Sequence, residues 1–467
     1  MRKVLFRALV GLLAAGAAWW LVWLTPSRGG RQADTIRFGF WGDYQEYRMW
    51  ERIAGEFRRE HPDIRIDLEH IPGAGEYARK MAAWLAGDSL PDVVLLLDQP
   101  LPRLIDKHDG RTPALADLTA LATESALDPN EFWPTAWASF GATEPDGRHQ
   151  YALPVFGGNN LIFYNRECFR RAGLPLPPES RIDRDWTIDE FHDLCRRLTI
   201  RQGEGPSGRI VQWGFDLPSG WLYWLPFIYA CDADILNADR TEFVFTGPGA
   251  LKSLRLWRAL IDEHLVPRGG ELGQMRQNVA FLTGRVAMVC DGPWQMPFLN
   301  EAKVDYGVMF PPRSAAGTRG TRITWNGVGL AARLSKDPAR LRQAWLFARF
   351  AASPTAGRIV AQVQRSIPAC RAAADAFAAG SEPARATKFV EAMEFSRLQP
   401  ITPKWSDMDN ALYNTLGKLT VARLGADGRP NTTPEVTLDA MAEAMLKRRL
   451  FPVRQADGSL RPLEVRP

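Results

Sequence analysis

The stretch Ile36-Arg37-Phe38-Gly39-Phe40, followed downstream by Ile64-Arg65-Ile66-Asp67-Leu68, decides how this chain folds. Apolar residues alternate in both, the period of a strand with one face buried. Between them Tyr47, Trp50, Ile53, Ala54 and Phe57 share one face of a predicted helix over Tyr44 to Glu60, which Pro62 ends. Strand, helix, strand in this order is a βαβ unit, which calls for a parallel sheet and a right-handed crossover. A second helical stretch, Tyr77 to Ala86, leads through Gly87 and Pro91 into Val93-Val94-Leu95-Leu96-Leu97. A run apolar at every position fits a central strand covered on both faces. It stops at Asp98-Gln99-Pro100, and the first lobe reads as α/β.

Farther along, Tyr151-Ala152-Leu153-Pro154-Val155 and Leu161-Ile162-Phe163-Tyr164 are short apolar runs on either side of Gly157-Gly158-Asn159-Asn160. Thr187-Ile188-Asp189-Glu190 is a capping box that opens a helix. Leu251, Leu254, Trp257, Ile261 and Leu265 mark another, and Val286 to Cys290 reads as a buried strand ending at Asp291-Gly292-Pro293. Val328 to Ala332 is strand-like, and Asp337-Pro338 and Ser353-Pro354 each place a capping acceptor before a proline at the first helical position. The remainder is mostly helical, including Trp405 to Leu424 and Pro434 to Arg449.

The chain has 467 residues, enough for two or three lobes with their own cores, and its charged and apolar fractions exclude a disordered, collagen-like or polytopic membrane protein. Its 58 Lys+Arg exceed 53 Asp+Glu by five, and Arg2, Lys3, Arg7, Arg28 and Arg31 account for that surplus within an acid-free start. The body is therefore balanced, with no bias toward nucleic acid or anionic lipid. The leader itself has a basic start and an apolar run from Ala8 to Leu24. Seventeen residues span about 26 Å as a helix, near the lower limit for crossing a bilayer and long for a secretory core. We read it as an uncleaved membrane helix in preference to a cleaved signal peptide. Its basic end stays in the cytoplasm and the body is exported. Cys168, Cys195, Cys231, Cys290 and Cys370 lack metal-ligand spacing and read as buried small residues with at most one bridge.

No GxSxG, HExxH, Walker A or GxGxxG motif occurs, and no metal site or cofactor is expected. Asp407-Met408-Asp409-Asn410 lacks the glycine and terminal glutamate of a calcium loop and reads as a solvated helix face, as do Asp232 and Asp234. Tryptophan is more informative. Of 17, three lie in the leader, and several others stand at strand ends or in loops. Trp41 precedes Gly42-Asp43; Trp221, Tyr223 and Trp224 follow Pro218-Ser219-Gly220; Trp294 follows Asp291-Gly292-Pro293; and Trp325-Asn326-Gly327 precedes a strand. Ligands of open α/β sheets bind at such strand ends. Flat rings flanked by Asp, Asn and Gln suit a sugar, whose C–H faces stack while its hydroxyls bond to polar groups. Arg365 and Arg371, around Ser366-Ile367-Pro368-Ala369, read as solvated basic loop residues, with a bond to a ligand hydroxyl or carboxylate as the alternative.

In order, several motifs resemble the extracellular solute-binding proteins that serve ABC importers, in their carbohydrate-binding, maltose-binding-protein-like group. They are Phe57-Arg58-Arg59-Glu60-His61-Pro62-Asp63-Ile64, Pro91-Asp92-Val93-Val94, Tyr151-Ala152-Leu153-Pro154 and Phe163-Tyr164-Asn165-Arg166. Ala172-Gly173-Leu174, Trp186-Thr187-Ile188-Asp189-Glu190-Phe191, Phe281-Leu282-Thr283-Gly284-Arg285-Val286-Ala287-Met288 and Gly292-Pro293-Trp294 continue the series. Pro311-Pro312, Asn326-Gly327-Val328-Gly329-Leu330 and Ile367-Pro368-Ala369 complete it.

The resemblance implies a two-lobed periplasmic-binding-protein fold with a hinge, here preceded by the N-terminal membrane helix. Residues 1–33 would form the leader and linker, 34–155 with 292–334 the first lobe, and 156–291 with 335–467 the second. Asp43 and Asp98, with Gln99 beside it, would face the cleft from the first lobe. Gly157 to Asn160, including Asn159, would lie at the crossing, and Trp221, Tyr223, Trp294, Trp325 and Asn326 would stack on or bond to the ligand. Trp41 and Arg365 complete the expected contacts. The implied protein is a monomeric, non-enzymatic binding protein outside the cytoplasmic membrane, with an ABC permease as partner and a sugar, oligosaccharide, polyol or uronate as solute. A binding protein coupled to a membrane sensor, or an exported glycan-acting enzyme, is the alternative. The leader departs from the family pattern of a cleaved or lipid-bearing signal.

Overall fold

The computed structural model describes residues 35–106, 112–177, 186–203, 208–217, 220–268, 271–272, 277–380, 383–421 and 431–463. Ten strands make its two principal sheets: β1 (Thr35–Trp41), β2 (Arg65–Ile71), β3 (Val93–Leu97), β4 (Ala152–Asn159), β5 (Leu161–Asn165), β6 (Met288–Asp291), β7 (Tyr306–Met309), β8 (Thr321–Leu330), β9 (Ile367–Pro368) and β10 (Ser396–Leu398). The helices needed below are α1 (Tyr44–Glu60), α2 (Ala74–Ala86), α3 (Pro338–Ala351), α4 (Pro354–Val363) and α5 (Trp405–Thr420).

The βαβ unit is present as read: β1 and β2 pair in parallel from Thr35–Arg65 to Trp41–Ile71, with α1 between them. β3 pairs in parallel on the other side of β1. The first sheet then turns antiparallel, in the order β9-β4-β8-β3-β1-β2, with β10 added in parallel to the start of β8. The second sheet, β6-β5-β7, is antiparallel. The two sheets seed separate apolar cores. One gathers Phe38, Phe40, Trp50, Phe57, Val93 to Leu96 and Trp325. The other side of the molecule is built from Phe163, Tyr164, Phe191, Trp224, Trp257, Leu412 and their neighbours.

The lobe boundaries differ from those the resemblance implied. Residues 292–310 were expected in the first lobe, but β7 pairs with β5 from Tyr306–Asn165 to Met309–Ile162, in the second sheet. The chain re-enters the first sheet only at Thr321, where β8 begins. Residues 335–363 were expected in the second lobe, yet α3 and α4 pack on the first core. Phe347 lies 5.3 Å from both Phe38 and Phe57, and Phe350 lies 5.6 Å from Phe57, edge to face. Apolar faces on α3 and α4 follow the surface they can bury, at about 1.5–3 kcal/mol for each large side chain removed from water.

Gly157-Gly158-Asn159 also differs from expectation. Expected at the crossing together with Asn160, these three residues continue β4, so Asn160 alone separates β4 from β5 and is the point where the chain passes between sheets. All five cysteines are free and buried. The expected membrane helix, residues 8–24, lies outside the described residues; among those described, no helix is long and apolar enough to cross a membrane.

Candidate functional site

Two strands of the first sheet run toward each other along one side of β8. β3 is antiparallel to β8 and reaches Leu97 opposite Asn326, whereas β10 is parallel and reaches Leu398 opposite Ile323. Their next residues, Asp98 and Gln399, therefore converge on Thr324 and Trp325. Thr324 Oγ1 donates to Asp98 Oδ1 at 2.9 Å, Gln399 Nε2 donates to the same oxygen at 2.8 Å, and Trp325 N donates to Oδ2 at 3.3 Å. Gln99 Nε2 donates to Gln399 Oε1 at 3.2 Å. Both Asp98 and Gln399 are fully buried.

The period of two along β8 sorts its neighbours by face. Thr324 stands opposite Gly158. Asn160 N donates to Arg322 O at 3.1 Å, one step beyond the Asn159–Ile323 pair. Directly opposed residues share a face, so Asn160, Arg322, Gly158 and Thr324 lie on Asp98's side of the sheet. The second lobe covers this face. A Cβ on Gly158 would stand 2.8 Å from Pro293 Cδ and 3.1 Å from Trp294 Cζ3, so only glycine lets that indole approach the strand. Trp294 Nε1 donates to Asp291 Oδ1 at 2.6 Å, and Gln295 Nε2 donates to Oδ2 at 2.5 Å. The Arg322 guanidinium lies 4.8 Å over the Tyr223 ring.

Several expected contacts fall on the other face or elsewhere. Trp325 is a correction: it is fully buried in the first core, lies inside β8 instead of before it, and donates to Thr135 Oγ1 at 3.2 Å. Asn159 shares that face and donates to Phe389 O at 2.9 Å and Ser396 Oγ at 3.0 Å. Trp221 is buried too; its Nε1 donates to Asp409 Oδ1 at 2.7 Å, and its ring lies 5.8 Å from that of Trp405 on α5. Asp409 is thus a half-buried acceptor, not a solvated helix face. Asp234, likewise read as solvated, is half-buried and pairs with Arg397 at 3.6 Å. Asn326 sits at a β-bulge in β8, half-buried.

Asp43 and Arg365 come together at the start of α1. Asp43 Oδ1 accepts from Gln45 N and Glu46 N at 2.9 and 3.1 Å, Glu46 Oε2 accepts from Asp43 N, and Arg365 Nη1 donates to Asp43 Oδ2 at 2.7 Å. This is a helix cap reinforced by an ion pair. Trp41 ends β1 half-buried, 5.0 Å from Tyr77.

Arg322, Gln399, Asp291 and Trp405 were not singled out from sequence. The alternation of Arg322, Thr324 and Asn326 with Ile323 and Trp325 carries the signal for the first, a polar row on one face of a strand. Gln399 has none, because it depends on β10 joining the sheet from far along the chain.

Burial pushes Asp98 up to about 6, opposed by hydrogen bonds from Thr324, Trp325 and Gln399 and by the Arg322 charge. Burial likewise raises Asp291 and the Tyr223 phenol, and Arg322 opposes both shifts. Asp216 is raised to about 7 by burial alone. Among the described residues, Glu144, Asp146 and His149 could together hold a metal, but the His149 ring nitrogens are engaged by Asp117 and Asp146 at 2.6 and 2.9 Å. The hydrogen bond to Asp117 leads in raising that imidazole.

Two α/β lobes, a polar face at converging strand ends, and aromatic rings brought over it define a two-lobed ligand-binding protein. The model for the bacterial extracellular solute-binding protein family matches residues 41–358, and the chain belongs to that family. It is 24% identical over 415 residues to the galactooligosaccharide-binding protein of Bacillus subtilis, covering 86% of this chain and 87% of that one. Among solved structures, it resembles an ABC substrate-binding protein from Listeria monocytogenes in complex with cycloalternan, with TM-score 0.73, 20% identity, and coverage of 89% and 99% of the two chains. The maltose/maltodextrin-binding domain from Bdellovibrio bacteriovorus bound to maltotriose matches with TM-score 0.69 and 18% identity, over 89% of this chain and 99% of that one. These structural likenesses establish the fold.

Proposed function

We propose that the protein is the extracytoplasmic solute-binding component of an ABC importer, capturing a carbohydrate or carbohydrate-like solute between its lobes and delivering it to the permease. The reading rests on the polar face around Asp98, Thr324 and Arg322, over which the second lobe brings Trp294 and Tyr223. Such a face offers donors and acceptors to hydroxyls and rings to C–H surfaces. The similar proteins from Bacillus subtilis, Listeria monocytogenes and Bdellovibrio bacteriovorus are described as binding or holding saccharides, which supports the same class here. No step in this role makes or breaks a covalent bond. The basic, apolar leader supports retention at the membrane through residues 8–24.

A thermal-shift screen of the purified chain against mono- and oligosaccharides, polyols and uronates tests the reading. A solute at 100 times its Kd adds about 2.7 kcal/mol to the native state. For lobes of this size that raises Tm by several degrees. No shift with any of these solutes would overturn the carbohydrate assignment.

A further inference from the structure

Arg322 is a buried cation. It keeps 4% of its surface, its Nε has no hydrogen-bond partner, and among the described residues no carboxylate lies within ion-pair distance of it. Asp98 and Asp291 are close enough for its charge to act on both. Their oxygens, however, are committed elsewhere: those of Asp98 to Thr324, Gln399 and Trp325 N, those of Asp291 to Trp294, Gln295 and Gly292 N. Asn160, opposite Arg322 on the same face, has neither its amide oxygen nor its amide nitrogen partnered, and both are buried.

A second guanidinium stands beside the first. Arg397 on β10 is in register with Arg322 on β8, so the two side chains leave neighbouring strands on one face. Each covers a tyrosine of the second lobe, Arg322 over Tyr223 at 4.8 Å and Arg397 over Tyr229 at 4.6 Å. Arg397 is exposed and pairs with Asp234 at 3.6 Å, so of the two only Arg322 is buried. Like charges side by side on adjacent strands are destabilising, and buried charges in native proteins are ordinarily paired. A guanidinium and an amide on one strand face are the kinds of donor that a planar or tetrahedral oxyanion accepts from.

We propose that Arg322 is the specificity-determining residue for an oxyanion on the bound saccharide, so that the preferred solute is an acidic sugar: a uronate, or a sugar phosphate with the same charge chemistry. This rests on the carbohydrate reading above and narrows it. The uncharged face of the ring would still be met by Trp294 and the hydroxyls by the Asp98 and Thr324 row.

The test is calorimetric titration of the full-length chain, in mild detergent, with four solutes: glucose, glucuronate, glucuronamide and glucose 6-phosphate. The uronate is expected to bind about 10- to 100-fold more tightly than its neutral amide, the range of a lost charge-assisted hydrogen bond. A tighter glucose 6-phosphate would identify the anion as a phosphate ester. Arg322→Met is expected to erase the preference, bringing glucuronate and glucuronamide to equal affinity, and Arg322→Lys to restore part of it. The amide comparison uses the unaltered chain, so it decides even if Arg322→Met fails to fold. Equal affinity for glucuronate and glucuronamide, with glucose 6-phosphate no tighter than glucose, overturns the inference and leaves the carbohydrate reading standing. Failure of all four solutes and of the wider screen removes the carbohydrate reading itself.

Discussion

Replacing Asp98 by Asn should stabilise the protein at neutral pH and destabilise it in acid, with a sign change between. Burial raises this carboxyl from 3.8 to about 6. The folded state therefore holds the proton more tightly than the unfolded chain, so the group's contribution is most favourable below about pH 4 and is lost as pH rises through 6. Two pKa units correspond to about 3 kcal/mol charged against the wild-type protein above pH 7. Asn carries no such cost. Its oxygen can still accept from Thr324 and Gln399, but its NH2 faces Trp325 N where the carboxylate had accepted. That lost bond costs about 1 kcal/mol. The variant should then be about 1 kcal/mol less stable at pH 4 and about 2 kcal/mol more stable at pH 8. At about 2–4 °C per kcal/mol, Tm should move a few degrees down in acid and several degrees up in base. Thermal unfolding followed by circular dichroism at pH 4, 5, 6, 7 and 8 reads this directly, since every other titrating group is common to both proteins. A Tm difference independent of pH, or one larger in acid than in base, would refute the assignment of a raised carboxyl at this point.

Gly158→Ala places a Cβ 2.8 Å from Pro293 Cδ and 3.1 Å from Trp294, and should cost about 1–3 kcal/mol while weakening solute binding, as read by Tm and calorimetry together. Trp325→Phe shrinks a core indole to a phenyl ring and removes its bond to Thr135; it should lower stability by about 1–3 kcal/mol yet leave solute affinity within about threefold, whereas a ring that touches ligand would lose far more affinity. Asp92→Asn strips the carboxylate that accepts from Arg333 and Arg340, both at 2.7 Å, and from Arg37 N at 2.9 Å, and should cost about 3–5 kcal/mol. Because hydrogen bonds from Arg340, Arg37 N and Arg333 hold Asp92 below its ordinary value against burial, wild-type stability from this group persists above about pH 4 and disappears in stronger acid; the variant should lack that acid limb in denaturation profiles. Reductant should leave Tm unchanged, and alkylation followed by mass spectrometry should label the five buried thiols only after unfolding.

The first half of the fold was legible because it is local. α1 runs from Tyr44 to Glu60 and β3 from Val93 to Leu97, as periodicity and apolar runs required. The three caps read from sequence, Thr187, Asp337 and Ser353, all accept from the expected backbone groups. The site was legible only in part. Of the residues expected to face a ligand, Asp98, Gln99, Asn160, Tyr223 and Trp294 gather near β8, where strand ends and loop aromatics of the two sheets approach each other. Trp325 and Asn159 were misplaced by one residue's worth of alternation: a shift of one along a strand exchanges cleft for core. The lobe boundary was misread for a different reason. Helices α3 and α4 could pack on either sheet by their own pattern, and only Phe38 and Phe57, about three hundred residues earlier, decide which.

Arg322 also ties what is bound to how the lobes sit. It belongs to the first sheet through β8, yet its guanidinium rests on Tyr223 of the second lobe, and it lies beside Asn160, the single residue through which β4 becomes β5. A ligand shifts a conformational equilibrium only by its difference in affinity for the two states. An oxyanion held at Arg322 while its ring rests on Trp294 touches both lobes, so those contacts exist together only when the lobes meet. A solute lacking the oxyanion would engage the same ring surface but give up the donor nearest the crossing. Specificity and closure are thus carried by one side chain, and Arg322→Met should weaken the closure that an acidic solute induces more than it weakens closure by a neutral one, a difference that small-angle scattering of each complex can read.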